Sequence, residues 1–376
     1  MDLTNIPLRE DEKAIFSLRS LYRKYGYSQY KMSKFEEYEL YVRNKDFLIS
    51  DSVITFTDAG GKLMALKPDV TLSIIKNTKD VPGCVNKVYY HENVYRADGS
   101  MHSFKEIMQV GLECIGDIDE YSICEVISLA AQSLIGISED CALVLSSLSI
   151  LSDVIDRMGV SDKYRQTILR LVGEKNLHEL SAICEESGAD AEYAAILRKL
   201  VATYGTPAEV LPKLESLLRG KIADESLDSL NSLIDALSLN EWSSIIRLDF
   251  SEVNNIKYYN GIVFKGFING IPTGVISGGQ YDKLMHRMGR SSRAIGFAVY
   301  LGNLERLEGS APHGYDIDAV LLYGANDAPA DIAAAVRKIA DGGLTVTAQR
   351  SIPKEIKYKK LFRLNGKEVE TVEADA

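Results

Sequence analysis

The residues that invite a chemical reading begin on one candidate strand, Phe104 to Gly116 (FKEIMQVGLECIG). Side chains of a strand alternate between its two faces. One face carries Phe104, Met108, Val110, Leu112 and Cys114, interrupted by Glu106. The other sets Lys105, Gln109 and Glu113 among Ile107, Gly111 and Ile115. The first face suits a core. The second suits the floor of a polar cleft, with Gly111 leaving space for a ligand between an amide and a carboxylate. Asp69 and Thr71, in KPDVT, stand at a helix start, and Arg96 ends the strand that pairs with this one. Tyr258-Tyr259 open a Gly-rich hairpin, and Gly278-Gly279-Gln280-Tyr281-Asp282 close it. Taken singly, these read equally well as a helix start, strand packing, a turn and a solvated strand face.

The elements that must position them follow from pattern. Asp11 to Tyr25 reads as a helix, with Ile15, Leu18, Tyr22 and Tyr25 on one side and Gly26 as a stop. Val53–Thr57 and Lys62–Leu66 form a hairpin around Asp58-Ala59-Gly60-Gly61. Pro68-Asp69 suits the first turn of a helix, where proline lacks no needed donor and a carboxylate meets the positive dipole end. Lys87–Arg96 and Phe104–Gly116 make an antiparallel pair, and Tyr121–Leu134 an amphipathic helix. From about 150 to 243, leucines recur at helical spacing and predict an all-helical insertion. β texture returns at IIRLDFSEV and YYNGIVFKGFINGIPTGVISGG, where Asn269-Gly270 signals a hairpin. Helices are expected at Gln280–Met288 and Gly302–Leu307. The end of the chain reads strand–helix–strand, so the expected division is a core over 1–313 and a small α/β domain over 314–376.

The totals narrow the options. With 376 residues, 46% hydrophobic and 26% charged, the chain is an ordinary globular protein of two or three domains. No apolar run is long enough for a membrane helix, and the polar start MDLTNIPLREDEK lacks signal-peptide features, so a cytoplasmic, membrane-free protein is expected. The net charge of −10 argues against nucleic acid as a partner. Cys84, Cys114, Cys124, Cys141 and Cys184 form no CxxC pair and the histidines no HExxH, so reduced core thiols and no metal site are expected. No Walker loop, GxGxxG or GxSxG points to a cofactor or another reaction centre.

The order of the motifs carries a resemblance. KPDVT, VYYHENVYR, KEIMQVGLE, NNIKYYNGIVF, SGGQYD and AIGFAVYLGNLERL together resemble the core of the class II histidyl-tRNA synthetase family. Its patterns are roughly RPExT, FR, REFxQxGxE, RGLDYY, GGGRYD and GFAxGLER. The resemblance spans about residues 1–308. It implies an α+β fold: an antiparallel sheet core of class II aminoacyl-tRNA synthetase type with a helical insertion, followed by the small C-terminal domain. It also implies a histidine pocket. Asp69 and Thr71 match positions facing the amino acid, and Arg96 the motif 2 arginine that meets the carboxylate. Gln109 and Glu113 match side chains around the ammonium and ring, and Tyr258, Tyr259 and Tyr281 the wall of the imidazole pocket.

The departures from those patterns matter as much. The arginine of RGLDYY falls on Asn254, and that of GFAxGLER on Asn303. Lys105, Gln280 and Ser33 replace a second motif 2 arginine, the arginine of GGGRYD and the motif 1 proline, and the loop Ala97–Ser103 holds no Lys or Arg. A fixed donor aimed at developing phosphate charge is worth roughly 2.7–4 kcal/mol. Losing two should cost about four powers of ten in rate. A histidine pocket without catalytic arginines resembles the regulatory subunits of ATP phosphoribosyltransferase. That resemblance implies a short-form catalytic partner, a role in the first step of histidine biosynthesis, L-histidine as feedback effector, and a homodimer within a hetero-oligomer. A working histidyl-tRNA synthetase and a free-standing amino-acid sensor are the alternative readings.

Overall fold

The computed structural model describes residues 10–44, 53–98, 103–253, 258–306 and 315–374. Two compact units emerge, Met1–Arg306 and Leu307–Ala376. The expected boundary at 313/314 falls in a stretch, 307–314, outside the described residues.

The first unit is built on one nine-stranded sheet. Its spatial order is Ser28–Gln29, Val85–Asp98, Ser103–Gly116, Arg293–Tyr300, Ile276–Gln280, Ile262–Ile268, Cys141–Ser147, Ile246–Asp249 and Tyr204–Gly205. The middle of the sheet is antiparallel, as expected. Parallel pairs occur toward its margins, between Ser28–Gln29 and Val85–Asp98 and between Cys141–Ser147 and Ile246–Asp249. The two long strands pair from Val85↔Gly116 to Asp98↔Ser103. Asn269-Gly270 turns the hairpin from Ile262–Ile268 into Ile276–Gln280, with Gly270 at φ 85°. That left-handed backbone is open to glycine at little cost.

Helices Glu10–Lys24 and Glu120–Ile137 join through a Tyr22–Ser133 hydroxyl contact of 3.0 Å. The second starts where Asp119 accepts the Ser122 N–H at 2.8 Å. It buries Ile123, Val126, Ile127, Ala130 and Leu134 at helical spacing. Truncating fully buried Ile127 to alanine should cost about 2–5 kcal/mol. The insertion consists of helices Leu148–Arg157, Asp162–Gly173, Leu177–Glu186, Ala191–Ala202, Pro207–Leu218 and Asp224–Ser238. Thr206 and Glu209 form a capping box with Pro207 at the first helical position. It is not wholly helical, because Tyr204–Gly205 pairs with Ile246–Asp249.

Other expectations shift. The helix after KPDVT begins at Thr71, not at Pro68; Asp69 precedes it and accepts the Leu72 N–H at 2.9 Å. Gln280 ends a strand, and the helix that follows is Asp282–Arg287. Leu301–Arg306 is a 3-10 turn rather than an α-helix. The hairpin over Thr55–Thr57 and Leu63–Leu66 gains a third strand, Phe35–Glu37. The thiols are not all core: Cys114 and Cys184 are buried, but Cys84 is exposed.

The second unit contains the expected strand–helix–strand, Ile317–Leu322, Pro329–Asp341 and Val346–Gln349, with the strands parallel. Two strands follow that the pattern reading left out. Tyr358–Asn365 lies parallel to Ile317–Leu322, and the acidic tail Glu368–Ala374 folds back on it antiparallel. Among the described residues no helix is long and apolar enough to cross a membrane, and no cluster of His, Cys, Asp or Glu could hold a metal ion.

Candidate functional site

The sheet register brings the site together. One row of neighbours on a single face reads Tyr90, Gly111, Ala298, Ser277; the next reads Glu113, Gly296, Gly279; a third sets Gln109 beside Tyr300. Asp69 and Thr71 arrive from the start of the Thr71–Asn77 helix. Tyr258 and Tyr259 precede the Ile262–Ile268 strand, and Tyr281 follows Ile276–Gln280. All eight residues expected from the sequence, Asp69, Thr71, Arg96, Gln109, Glu113, Tyr258, Tyr259 and Tyr281, line one cavity. Tyr90, Ser277, Gly296, Phe297, Ala298 and Tyr300 complete its wall.

The cavity has a deep end and a mouth. Asp69, Thr71, Gln109, Glu113, Tyr90, Tyr258 and Tyr281 are buried, whereas Arg96, Tyr259, Ser277, Ala298 and Tyr300 are half-buried. At the deep end Thr71 donates to Glu113 Oε1 at 2.7 Å and Tyr281 to Oε2 at 2.5 Å. Burial lifts the Glu113 carboxyl to about 8, against the pull of those two hydroxyls, and nearby Asp69 adds to the rise. Asp69 is also raised by burial, which its bond from Leu72 and the Arg96 charge oppose. Burial holds the phenols of Tyr90, Tyr258, Tyr259 and Tyr281 far above their usual range, so they act as neutral donors. Arg96, donating from Nε to the Pro68 carbonyl at 3.3 Å, is the single cation among the described lining residues. Two buried carboxyl groups at depth call for a cationic or donor-rich group. A guanidinium at the mouth calls for an anion.

Gly111 does not leave space for a ligand, contrary to the reading from alternation. A Cβ there would sit 2.4 Å from the Tyr90 hydroxyl, so the protein's own phenol fills that space. The free volume left is about 30 Å³, room for about two waters. A ligand of amino-acid size therefore enters only as side chains yield. A larger hollow of about 580 Å³ lies between the Asp224–Ser238 and Glu120–Ile137 helices and the strand ends at Gly261 and Gln280. It holds none of the eight residues, so the chemistry belongs to the smaller cavity.

Three of the positions that depart from the synthetase patterns are used otherwise. Asn303 donates to the Gly274 carbonyl at 3.0 Å and does not line the cavity. Gln280 accepts the Ile262 N–H at 2.8 Å. Ser33 accepts the Phe35 N–H at 3.1 Å. Asn254 lies outside the described residues, as do residues 99–102 of the loop after Arg96. The sequence reading missed Tyr90, Ser277 and Tyr300. The signal for Tyr90 was its place opposite Gly111. For Tyr300 it was the GFAVYLGN run, which sets a tyrosine at the glycine of GFAxGLER.

A polar pocket on the antiparallel part of this sheet, with motif residues from five separated segments, defines a class II aminoacyl-tRNA synthetase-like protein. The chain belongs to the histidyl-tRNA synthetase family, whose model matches residues 2–304. It is 24% identical over 317 residues to the ATP phosphoribosyltransferase regulatory subunit of Oceanobacillus iheyensis, covering 83% of this chain and 78% of that one. Among solved structures it resembles an ATP phosphoribosyltransferase regulatory subunit/histidyl-tRNA synthetase from Bacillus halodurans, with TM-score 0.76, 21% identity and coverage of 94% and 93%. It also resembles a chain of the ATP phosphoribosyl transferase (HisG:HisZ) complex from Thermotoga maritima, with TM-score 0.62, 19% identity and coverage of 77% and 97%.

Proposed function

We propose that this chain is a regulatory, non-catalytic subunit of ATP phosphoribosyltransferase that works with a short-form catalytic subunit and binds L-histidine in the cavity around Glu113. The observation that carries this is the charge inventory of the described lining residues, two buried carboxyl groups and one cation at the mouth. One guanidinium balances an amino-acid carboxylate. It falls well short of the fixed positive charge that a triphosphate and its transition state need. In this reading the imidazole lies toward Glu113, Thr71 and Tyr281, the ammonium toward Asp69 and Gln109, and the carboxylate toward Arg96. The likeness to an ATP phosphoribosyltransferase regulatory subunit and to a chain of the HisG:HisZ complex supports the partnership. Feedback inhibition follows if histidine favours one of two states of the complex.

Reconstitution tests the assignment. Phosphoribosyl transfer by a short-form catalytic subunit should depend on this chain, and L-histidine should suppress it. Transfer indifferent to the chain overturns the partnership. Titration calorimetry of L-histidine against the chain and the assembled complex tests the pocket, and no heat in either rejects it. Histidine-dependent ATP–pyrophosphate exchange at an enzyme-like rate would instead mark a synthetase.

A further inference from the structure

The residues of the Arg293–Tyr300 strand that line the pocket on its polar face are Gly296, Ala298 and Tyr300. Gly111 and Ser277 flank Ala298, and Gly279 lies beside Gly296. These small residues make a trough in the sheet that the protein's own Tyr90, Glu113 and Tyr259 side chains largely fill. Its deep end is closed by the Glu113 carboxyl, whose Oε2 would lie 1.8 Å from a Cβ at residue 296. At the other end the strand face steps from glycine and alanine to the ring of Tyr300. Tyr300 and Arg96 both line the cavity and both are half-buried, which sets the ring and the cation at its more open end. The Tyr300 backbone is fixed: its N–H donates to the Val275 carbonyl at 2.8 Å, and it pairs with Gln109. Tyr259 lies over Gly279 but belongs to no strand, so it is the side chain freer to yield to a ligand.

Building on the amino-acid reading of the pocket, we infer that Tyr300 sets the length of ligand the site accepts, admitting a free α-amino acid and excluding derivatives whose carboxyl carries a further group. With the ammonium and side chain committed to the deep end, the carboxylate lies between Arg96 and Tyr300. An ester, peptide or adenylate would have to extend through the volume of the phenol ring. Steric exclusion by one ring on a fixed strand is an affinity difference built against the wrong ligand rather than toward the right one.

Calorimetry on the full chain tests this with three probes: L-histidine, L-histidyl-glycine, and the non-hydrolysable sulfamoyl-adenosine analogue of histidyl-adenylate. The wild-type chain should bind histidine and take both derivatives at least about ten-fold more weakly. Tyr300→Gly should narrow that ratio to about three-fold or less, whereas Tyr300→Phe, which keeps the ring, should preserve it. If Tyr300→Gly fails to melt cooperatively, Tyr300→Ala is read in the same way. Derivatives bound by wild type as tightly as histidine, or a ratio unmoved by removing the ring, overturn the role of Tyr300 and leave the pocket reading intact. Wild type that binds no histidine overturns both.

Discussion

The carboxyl of Glu113 lies over Gly296: Oε2 would be 1.8 Å from a Cβ placed there, closer than atoms can approach. Glycine is needed because the carboxyl group's resting place is the backbone of the next strand. Gly296→Ala should therefore push Glu113 off its Thr71 and Tyr281 partners. We expect a destabilisation of about 1–3 kcal/mol by chemical denaturation and loss of histidine binding. An alanine variant that binds normally would show that Glu113 needs no such seat.

Burial lifts Glu113 to about 8, well above an unfolded carboxyl. The folded state thus keeps a proton that the unfolded chain releases. The resulting stabilisation is fully present below the unfolded pKa and is lost as pH rises toward about 8. Glu113→Gln lacks this dependence. Its melting temperature relative to wild type should increase steadily between pH 5 and pH 8, in thermal scans at matched ionic strength. Parallel curves would contradict the assignment of a buried, proton-holding acid.

Asp69 carries two duties that substitution can separate. Its carboxylate accepts the Leu72 N–H at 2.9 Å and so caps a helix, and it also faces the cavity. An asparagine side chain can still cap, so Asp69→Asn should keep stability within about 0.5 kcal/mol, whereas Asp69→Ala should lose about 0.5–2 kcal/mol. Both should weaken histidine binding, because both remove the charge that meets the ammonium. Unchanged affinity in the asparagine variant would confine Asp69 to the helix.

Lys67 is fully buried and donates to Glu92 Oε2 at 2.5 Å, beneath the helix start that supplies Asp69 and Thr71. Removing one partner of such a pair leaves an uncompensated charge. Lys67→Met should cost about 3–5 kcal/mol, and adding Glu92→Leu should recover a good part of it. Equilibrium denaturation of the two variants measures the difference. If the double variant is no more stable than the single, the cost is packing rather than charge.

The eight pocket residues were legible chiefly through the order of their motifs along the chain, and local pattern supported only some of them. Gln109 and Glu113 follow strand alternation, and Asp69 and Thr71 sit by a proline that marks a helix start. The strand Arg293–Tyr300 was not read because RAIGFAVY, buried along most of its length, shows little alternation to set a period. With it went Tyr300 and the recognition that the cavity is nearly filled. Alternation also could not say what occupies the space above Gly111; only register places Tyr90 opposite. The last hairpin was passed over because the acidic tail reads as solvated, although Asn365-Gly366 marked its turn and Gly366 has φ 63°.

The strand Arg293–Tyr300 is the last of its sheet in chain order, yet it occupies the middle, between Ser103–Gly116 and Ile276–Gln280. During synthesis the two halves of the sheet must wait, unjoined, until the ribosome has released residue 300 and that strand can slot between them. Closing contacts so far apart in the chain is slow. Nascent chains cut short before residue 293 will carry an open seam, and nascent-chain folding should complete in one late step rather than grow with length.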